Sequence, residues 1–240
     1  MSRVATDAGG RRAAPPSRRP YRDLVLVEPW AAATRDAYDR VALDYAEVLR
    51  DALAAQPFDR AVLGAFAELV ATSGGGEVVD VGCGPGRITA YLRSIGMSVS
   101  GIDLSPQMVD VARRDHPGLR FQVGSMSALD LADASVAGVV AWYSIIHTPP
   151  EALPEQLAEL TRVLVPGGHL LLAFQVGDDE LLRLTRAYGH HIELDAYRLS
   201  PDHVTERLAL AGLDVIVRLV REAQDSEKTR QAFLVARRQR

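Results

Sequence analysis

Two periodicities alternate along the chain. From Thr34, apolar side chains recur at three- and four-residue spacing (Tyr38, Val41, Ala42, Tyr45, Val48, Leu49), which predicts an amphipathic helix with one apolar stripe. A second helix is predicted over about 58–71, after Pro57 and before the glycines at 74–76. Short apolar runs at 77–81, 98–102, 119–123, 136–142 and 169–175 then read as strands, with helical stretches near 86–95, 106–115 and 151–164 between them. Ser105-Pro106 and Ser200-Pro201 each place a capping hydroxyl before a proline at the first helical position, the second opening a helix over about 201–211. Strands at 213–220 and 230–237 end the pattern, with a polar turn around Asp225-Ser226 between them. Repeated strand–helix units predict an α/β fold: a doubly wound, mostly parallel, seven-stranded sheet with helices on both faces.

The same pattern divides the chain. Residues 1–20 are Arg, Ala, Pro, Gly and Ser with little to bury and are expected to form a disordered tail. Residues 21–73 are expected to form an N-terminal helical cap, and 74–240 the core, with a substrate-side insertion at about 178–200. Hydrophobic residues make up 48% and charged residues 24%, an ordinary globular balance. No apolar run reaches the ~20 residues of a membrane span, and the start lacks a signal-like apolar segment. No membrane partner and a cytoplasmic location are therefore expected. The single cysteine, Cys83, excludes an internal disulfide or a cysteine-based metal cluster. The net charge of −4 is uneven: residues 1–20 hold five arginines against Asp7, which leaves −8 on the rest. A body so charged has no reason to seek nucleic acid.

The strongest local signal is Glu77-Val-Val-Asp-Val-Gly-Cys-Gly-Pro-Gly-Arg87, where a buried strand runs into Gly82, Gly84 and Gly86 and a helix follows at once. Glycines permit backbone angles and close approach that a side chain would block, and the helix offers free N–H groups to a ligand. Asp103 ends the next strand, 21 residues after Gly82, close to the ~20-residue spacing at which an acid accepts hydrogen bonds from a ribose. A dinucleotide fingerprint needs its third glycine one residue later, where Arg87 stands. An adenosine-type ligand without a pyrophosphate is expected.

From about Tyr38 to Arg237 the chain resembles the class I methyltransferases that bind S-adenosylmethionine, in particular their small-molecule methyltransferase-domain group. Asp80-Val-Gly-Cys-Gly-Pro-Gly86 matches the family's first motif. The resemblance implies that Gly82, Cys83, Gly84 and Gly86 back onto the methionine part of S-adenosylmethionine and that Asp80 helps hold its polar end. It further implies that Asp103 binds the ribose hydroxyls, that Leu104 and Met108 line the adenine pocket, and that Tyr38 on the first helix contacts the cofactor. Phe121 to Leu129 resembles the adenine-reading segment, with Ser125 where the family usually has Asp, a weaker acceptor; the N–H of Met126 is the partner expected for the ring nitrogen. Val136 to Trp142 and the following Tyr143-Ser-Ile-Ile-His147 resemble the strand and loop beneath the methyl group. Leu164 to Leu170 matches the family's turn into the fifth strand, with His169 expected on that strand's surface.

Methyl transfer is an in-line displacement in which positioning and water exclusion carry much of the acceleration. His147, with an ordinary pKa suited to neutral pH, is the candidate base; a loop histidine that shapes the pocket is the alternative. Tyr143 is a second catalytic candidate, and Trp142, Tyr143 and Ser144 are candidates to line the substrate cavity. His191, Glu193, Asp195 and Tyr197 alternate and would share one face of an added strand; a polar face is the simpler reading than a metal site, and no metal is expected. The expected reaction moves a methyl group from S-adenosylmethionine to an O, N or C atom of a small acceptor. The alternatives are a non-catalytic S-adenosylmethionine-binding or scaffold protein and a nicotinamide-dependent oxidoreductase.

Overall fold

The computed structural model describes residues 28–224 and 227–240. The expected tail at 1–20 and the Asp225-Ser226 turn lie outside these residues. Among the described residues, nine strands and six α-helices follow in the order α1 (Pro29–Leu49), α2 (Pro57–Thr72), β1 (Glu77–Val81), α3 (Arg87–Ser94), β2 (Ser98–Asp103), α4 (Pro106–Asp115), β3 (Arg120–Val123), β4 (Val136–Trp142), α5 (Leu153–Val163), β5 (Leu164–Gln175), β6 (Glu180–Ala187), β7 (His190–Arg198), α6 (Pro201–Leu210), β8 (Leu213–Arg221) and β9 (Gln231–Arg238). A short 3-10 turn, Ile145–His147, follows β4.

Seven strands form one sheet in the order β3-β2-β1-β4-β5-β9-β8. All neighbours run parallel except β9, which is antiparallel to both β5 and β8. Each face of the sheet is covered because its strands are apolar on both sides. One face packs Val79, Val139 and Leu172 against Leu157 and Leu160 of α5 and Val204 and Leu208 of α6. The other packs Val78, Val140 and Leu171 against Leu63, Phe66 and Val70 of α2 and Ile88 and Leu92 of α3. Each such fully buried side chain removes apolar surface worth roughly 1.5–3 kcal/mol.

The structure refines the expected cap. α1 begins at Pro29, five residues before Thr34, because proline's fixed φ suits a first turn whose N–H groups are free. α2 is a layer of the core, since its Phe66 and Val70 lie on the sheet; only α1 stands over the strand ends. The insertion is an antiparallel hairpin, β6–β7, separate from the main sheet. Its Ile192 and Leu194 pack on Ala37 and Val41 of α1, while His191, Glu193 and Asp195 face outward. His169 departs from expectation: it is buried between Gly138 of β4 and Arg237 of β9, because β5 starts at Leu164 and has neighbours on both sides. No helix among the described residues is long and apolar enough to cross a membrane.

Candidate active site

The strand order reverses between β1 and β4, and the loops leaving their carboxyl ends diverge there to leave a crevice, the usual ligand position in a doubly wound sheet. The loop after β1 must turn sharply. Gly82 and Gly84 adopt φ of +73° and +54°, the left-handed region that favours glycine. A Cβ on Gly82 would lie 2.3 Å from Cβ of Ser144, and that serine's hydroxyl donates to the carbonyl of Val81 at 2.8 Å. The two loops are thus locked together at the switch point.

Asp103, at the end of β2, joins the next wall. Its Oδ2 accepts from the N–H of Gly84 at 2.7 Å and its Oδ1 from the N–H of Ser105 at 2.8 Å. Burial raises its pKa to about 6 in spite of those two donors. Each carboxylate oxygen retains capacity for a further donor. Ser105 caps α4, its hydroxyl accepting from the N–H of Met108 at 3.0 Å while donating to Asp39 of α1 at 2.5 Å. α1 is fastened to the start of α4 in this way.

These elements enclose a cavity of about 750 Å³, counting its open mouth. Of the residues singled out from the sequence, Gly82, Gly84, Asp103, Leu104 and Met108 lie on its wall. So do Ser125 and Met126 after β3, Trp142 at the end of β4, Tyr143 and His147 after it, and Tyr38 from α1. Asp80, Cys83 and Gly86 are absent from that wall. Asp80 is fully buried beneath the loop, where Oδ2 accepts from the hydroxyl of Thr89 at 2.7 Å and Oδ1 has no partner. Burial raises its pKa to about 7. Cys83 packs with Val109, Ala112 and Phe121, and burial pushes its thiol well above the usual range. A Cβ on Gly86 would meet the Phe121 ring at 2.7 Å, so this glycine serves packing.

Two distant segments converge on His147. Its Nδ1 lies 2.9 Å from the carbonyl oxygen of Asp195 on β7, and its Nε2 lies 2.7 Å from the hydroxyl of Tyr38 on α1. A carbonyl can only accept, so Nδ1 carries the hydrogen and Nε2 accepts from Tyr38. Burial lowers the pKa of His147 and raises that of Tyr38 well above the phenol range. The rings of Tyr38, Tyr45 and Tyr188 continue as an edge-on series, with centroids 5.7 and 5.0 Å apart. Tyr143 holds a positive φ of 55°, an uncommon conformation for an aromatic residue that turns the chain from β4 into the cavity wall. The indole nitrogen of Trp142 is buried without a partner.

Trp30, Thr148 and Gln156 also line the cavity and were not singled out in the sequence. Trp30 carried a usable signal, since Pro29 before it marks a helix start. Thr148 and Gln156 are buried and hydrogen-bonded to each other; nothing local in the sequence distinguishes them from surface polar residues.

Residues 78–168 match the family described as the methyltransferase domain. The malonyl-[acyl-carrier protein] O-methyltransferase of Pectobacterium atrosepticum is 35% identical over 147 residues, 56% of this chain and 57% of that protein. The chain thus spans little more than half the length of this curated relative. Among solved structures, a Burkholderia thailandensis 1,6-didemethyltoxoflavin-N1-methyltransferase, bound to 1,6-didemethyltoxoflavin and S-adenosylhomocysteine, aligns with a TM-score of 0.68 at 23% identity, over 90% of this chain and 92% of that one. The magnesium protoporphyrin IX methyltransferase of Synechocystis with bound S-adenosylmethionine aligns at 0.66 and 16%, over 87% and 97%. At these identities the likeness to the two structures is one of fold. The matched segment holds the glycine loop and the strands on either side of the switch point, and over it the chain is similar to a methyltransferase domain.

Proposed function

We propose that the protein transfers a methyl group from S-adenosylmethionine to a small-molecule acceptor. The observation that carries this reading is the carboxylate of Asp103, pinned by the N–H of Gly84, on the wall of a cavity at the switch point of the sheet. The residues present fit the cofactor. Asp103 offers two oxygens with spare acceptor capacity, and the φ of +54° at Gly84 leaves its backbone bare toward the cavity, with only the Tyr45 ring near, at 3.8 Å. Asp80 keeps an unpartnered carboxylate oxygen directly beneath the loop. Asp103 would hold the ribose, Leu104 and Met108 the adenine, and Gly82 and Gly84 the methionine portion. Ser125 and Met126 stand on the same wall as hydrogen-bonding groups for the base. S-adenosylmethionine, when bound, supplies an electrophilic methyl group to the attacking atom.

The arrangement at His147 supports a proton path for an acceptor that must lose one. Nε2 is already engaged, so an acceptor proton reaches it indirectly. The acceptor gives its proton to the hydroxyl oxygen of Tyr38 as Tyr38 passes its own to Nε2, and the carbonyl of Asp195 steadies the resulting cation at Nδ1. Trp142 and Tyr143 exclude water around the transfer. The names of these similar proteins span malonyl-[acyl-carrier protein], 1,6-didemethyltoxoflavin and magnesium protoporphyrin IX, so the acceptor has to be read from this chain's own walls.

Calorimetric titration tests the reading. S-adenosylmethionine is expected to bind at micromolar strength and NADH not at all, and Asp103→Ala is expected to weaken binding at least about 30-fold, the loss of two charge-assisted hydrogen bonds. Unchanged affinity in Asp103→Ala would remove the ribose role, and binding of NADH alone would overturn the reading.

A further inference from the structure

On the far side of His147 a second groove, about 930 Å³ with its open mouth, runs between α1 and the β6–β7 hairpin. Trp30, Thr34 and His147 border both this groove and the glycine-lined cavity, so a molecule lying in the groove abuts the proton path. Its apolar and aromatic lining comprises Trp30, Ala33, Pro149, Leu184, Leu194 and Tyr197. Its charged groups are Arg183, Glu193 and Asp195. Nε of Arg183 lies 3.7 Å from Oδ1 of Asp195, an exposed ion pair. Glu193 has no ion-pair partner among the described residues. The alternation of β7 turns it outward, opposite the buried Ile192 and Leu194.

An aromatic wall beside one uncompensated carboxylate complements a flat ring that bears a positive charge. The ring gains stacking and cation–π attraction, and the charge gains an ion pair. A carboxylate or phosphate in the same place would face Glu193, with the guanidinium of Arg183 beside Asp195 and that of Arg40 donating to the carbonyl of His191. We propose that this groove is the outer part of the acceptor site, the reacting atom lying in the glycine-lined cavity beside Tyr38, and that the acceptor is an aromatic compound carrying an ammonium group, its ring against Trp30 and its ammonium toward Glu193. The proposal rests on the methyltransferase reading above and narrows it to one class of acceptor.

The test uses two indoles of like shape and opposite charge, tryptamine and indole-3-propionate, titrated into the full-length protein saturated with S-adenosylhomocysteine. Tryptamine is expected to bind about tenfold more tightly than indole-3-propionate, the sum of one exposed ion pair and one cation–π contact. Glu193→Gln is expected to reduce that preference to about threefold or less, and Trp30→Leu to weaken both indoles. Equal or tighter binding of indole-3-propionate, no binding of either, or an unaltered preference in Glu193→Gln each overturns the assignment. Thermal melting of both variants separates loss of the groove from loss of the fold. Failure of S-adenosylhomocysteine itself to bind is a different result, and it overturns the methyltransferase reading together with this one.

Discussion

Asp80 shows how much one buried carboxylate decides. It sits at the end of β1 with no exposure, one hydrogen bond from Thr89 and one bare oxygen. Its pKa, about 7, stands above the ordinary carboxylate range because burial disfavours its charge. The native state therefore holds this proton more tightly than the unfolded chain does. The stabilisation is complete below the unfolded value near 4 and is lost as pH rises through about 7. Asp103, raised to about 6, acts in the same direction. In the cofactor-free protein the urea midpoint is expected to fall between pH 5 and pH 8. Asp80→Asn, which keeps an acceptor for Thr89 and removes the charge, should flatten that slope and stabilise the protein at pH 8 by on the order of 1–3 kcal/mol. An equal slope in the variant would show that Asp80 ionises without cost.

At the scale of elements, the glycine loop separates two uses of one residue type. Gly82 has a positive φ and faces the Ser144 side chain, so Gly82→Ala combines backbone strain with overpacking and is expected to cost about 2–5 kcal/mol in urea unfolding. Gly84 has a positive φ but only the Tyr45 ring within 4 Å of where an alanine methyl would stand, at 3.8 Å. Gly84→Ala should cost about 1–2 kcal/mol, chiefly through φ, while losing most affinity for S-adenosylhomocysteine because its methyl occupies the cavity. Equal stability losses would mean that strain alone governs both positions. The elements of the main sheet were legible in the sequence to within about five residues, because each of those strands is a bounded apolar run and each helix carries a stripe or a Ser-Pro start; β6, with polar residues through an exposed strand, was not. The place of α2 in the core was not legible, because its stripe shows that one face is buried and not against what.

Across the whole molecule, the site is assembled from pieces far apart in the chain. Tyr38, His147 and Asp195 are linked by two hydrogen bonds that span 109 and 48 residues. The tip of the hairpin is held by Tyr188 against Tyr45 and by His190 against Asp44 at 2.7 Å. Cap, core and insertion therefore meet at one imidazole. Tyr38→Phe keeps the ring in place and deletes one bond. It is expected to leave affinity for S-adenosylhomocysteine within about threefold, a shift of under 1 kcal/mol. It should also speed amide exchange in β7, which loses a tie to α1 through His147. Turnover with a proton-bearing acceptor should fall at least about tenfold, in keeping with the loss of a proton-transfer group. Unchanged turnover would leave Tyr38 as wall and packing alone.

What the sequence determined by itself is local: strand–loop–helix units, the glycines at the first turn, the acid closing β2 and the alternating polar face of β7. Each follows from periodicity or from a residue whose backbone freedom is special, so it can be read without knowing the neighbours. Burial of Asp80 and His169, the engagement of Nε2 of His147 by Tyr38, and the groove between α1 and the hairpin were decided only in three dimensions. They depend on which segments lie side by side, and the same polar residue is a ligand group, a packed core group or a solvated one according to what tertiary contact removes from water.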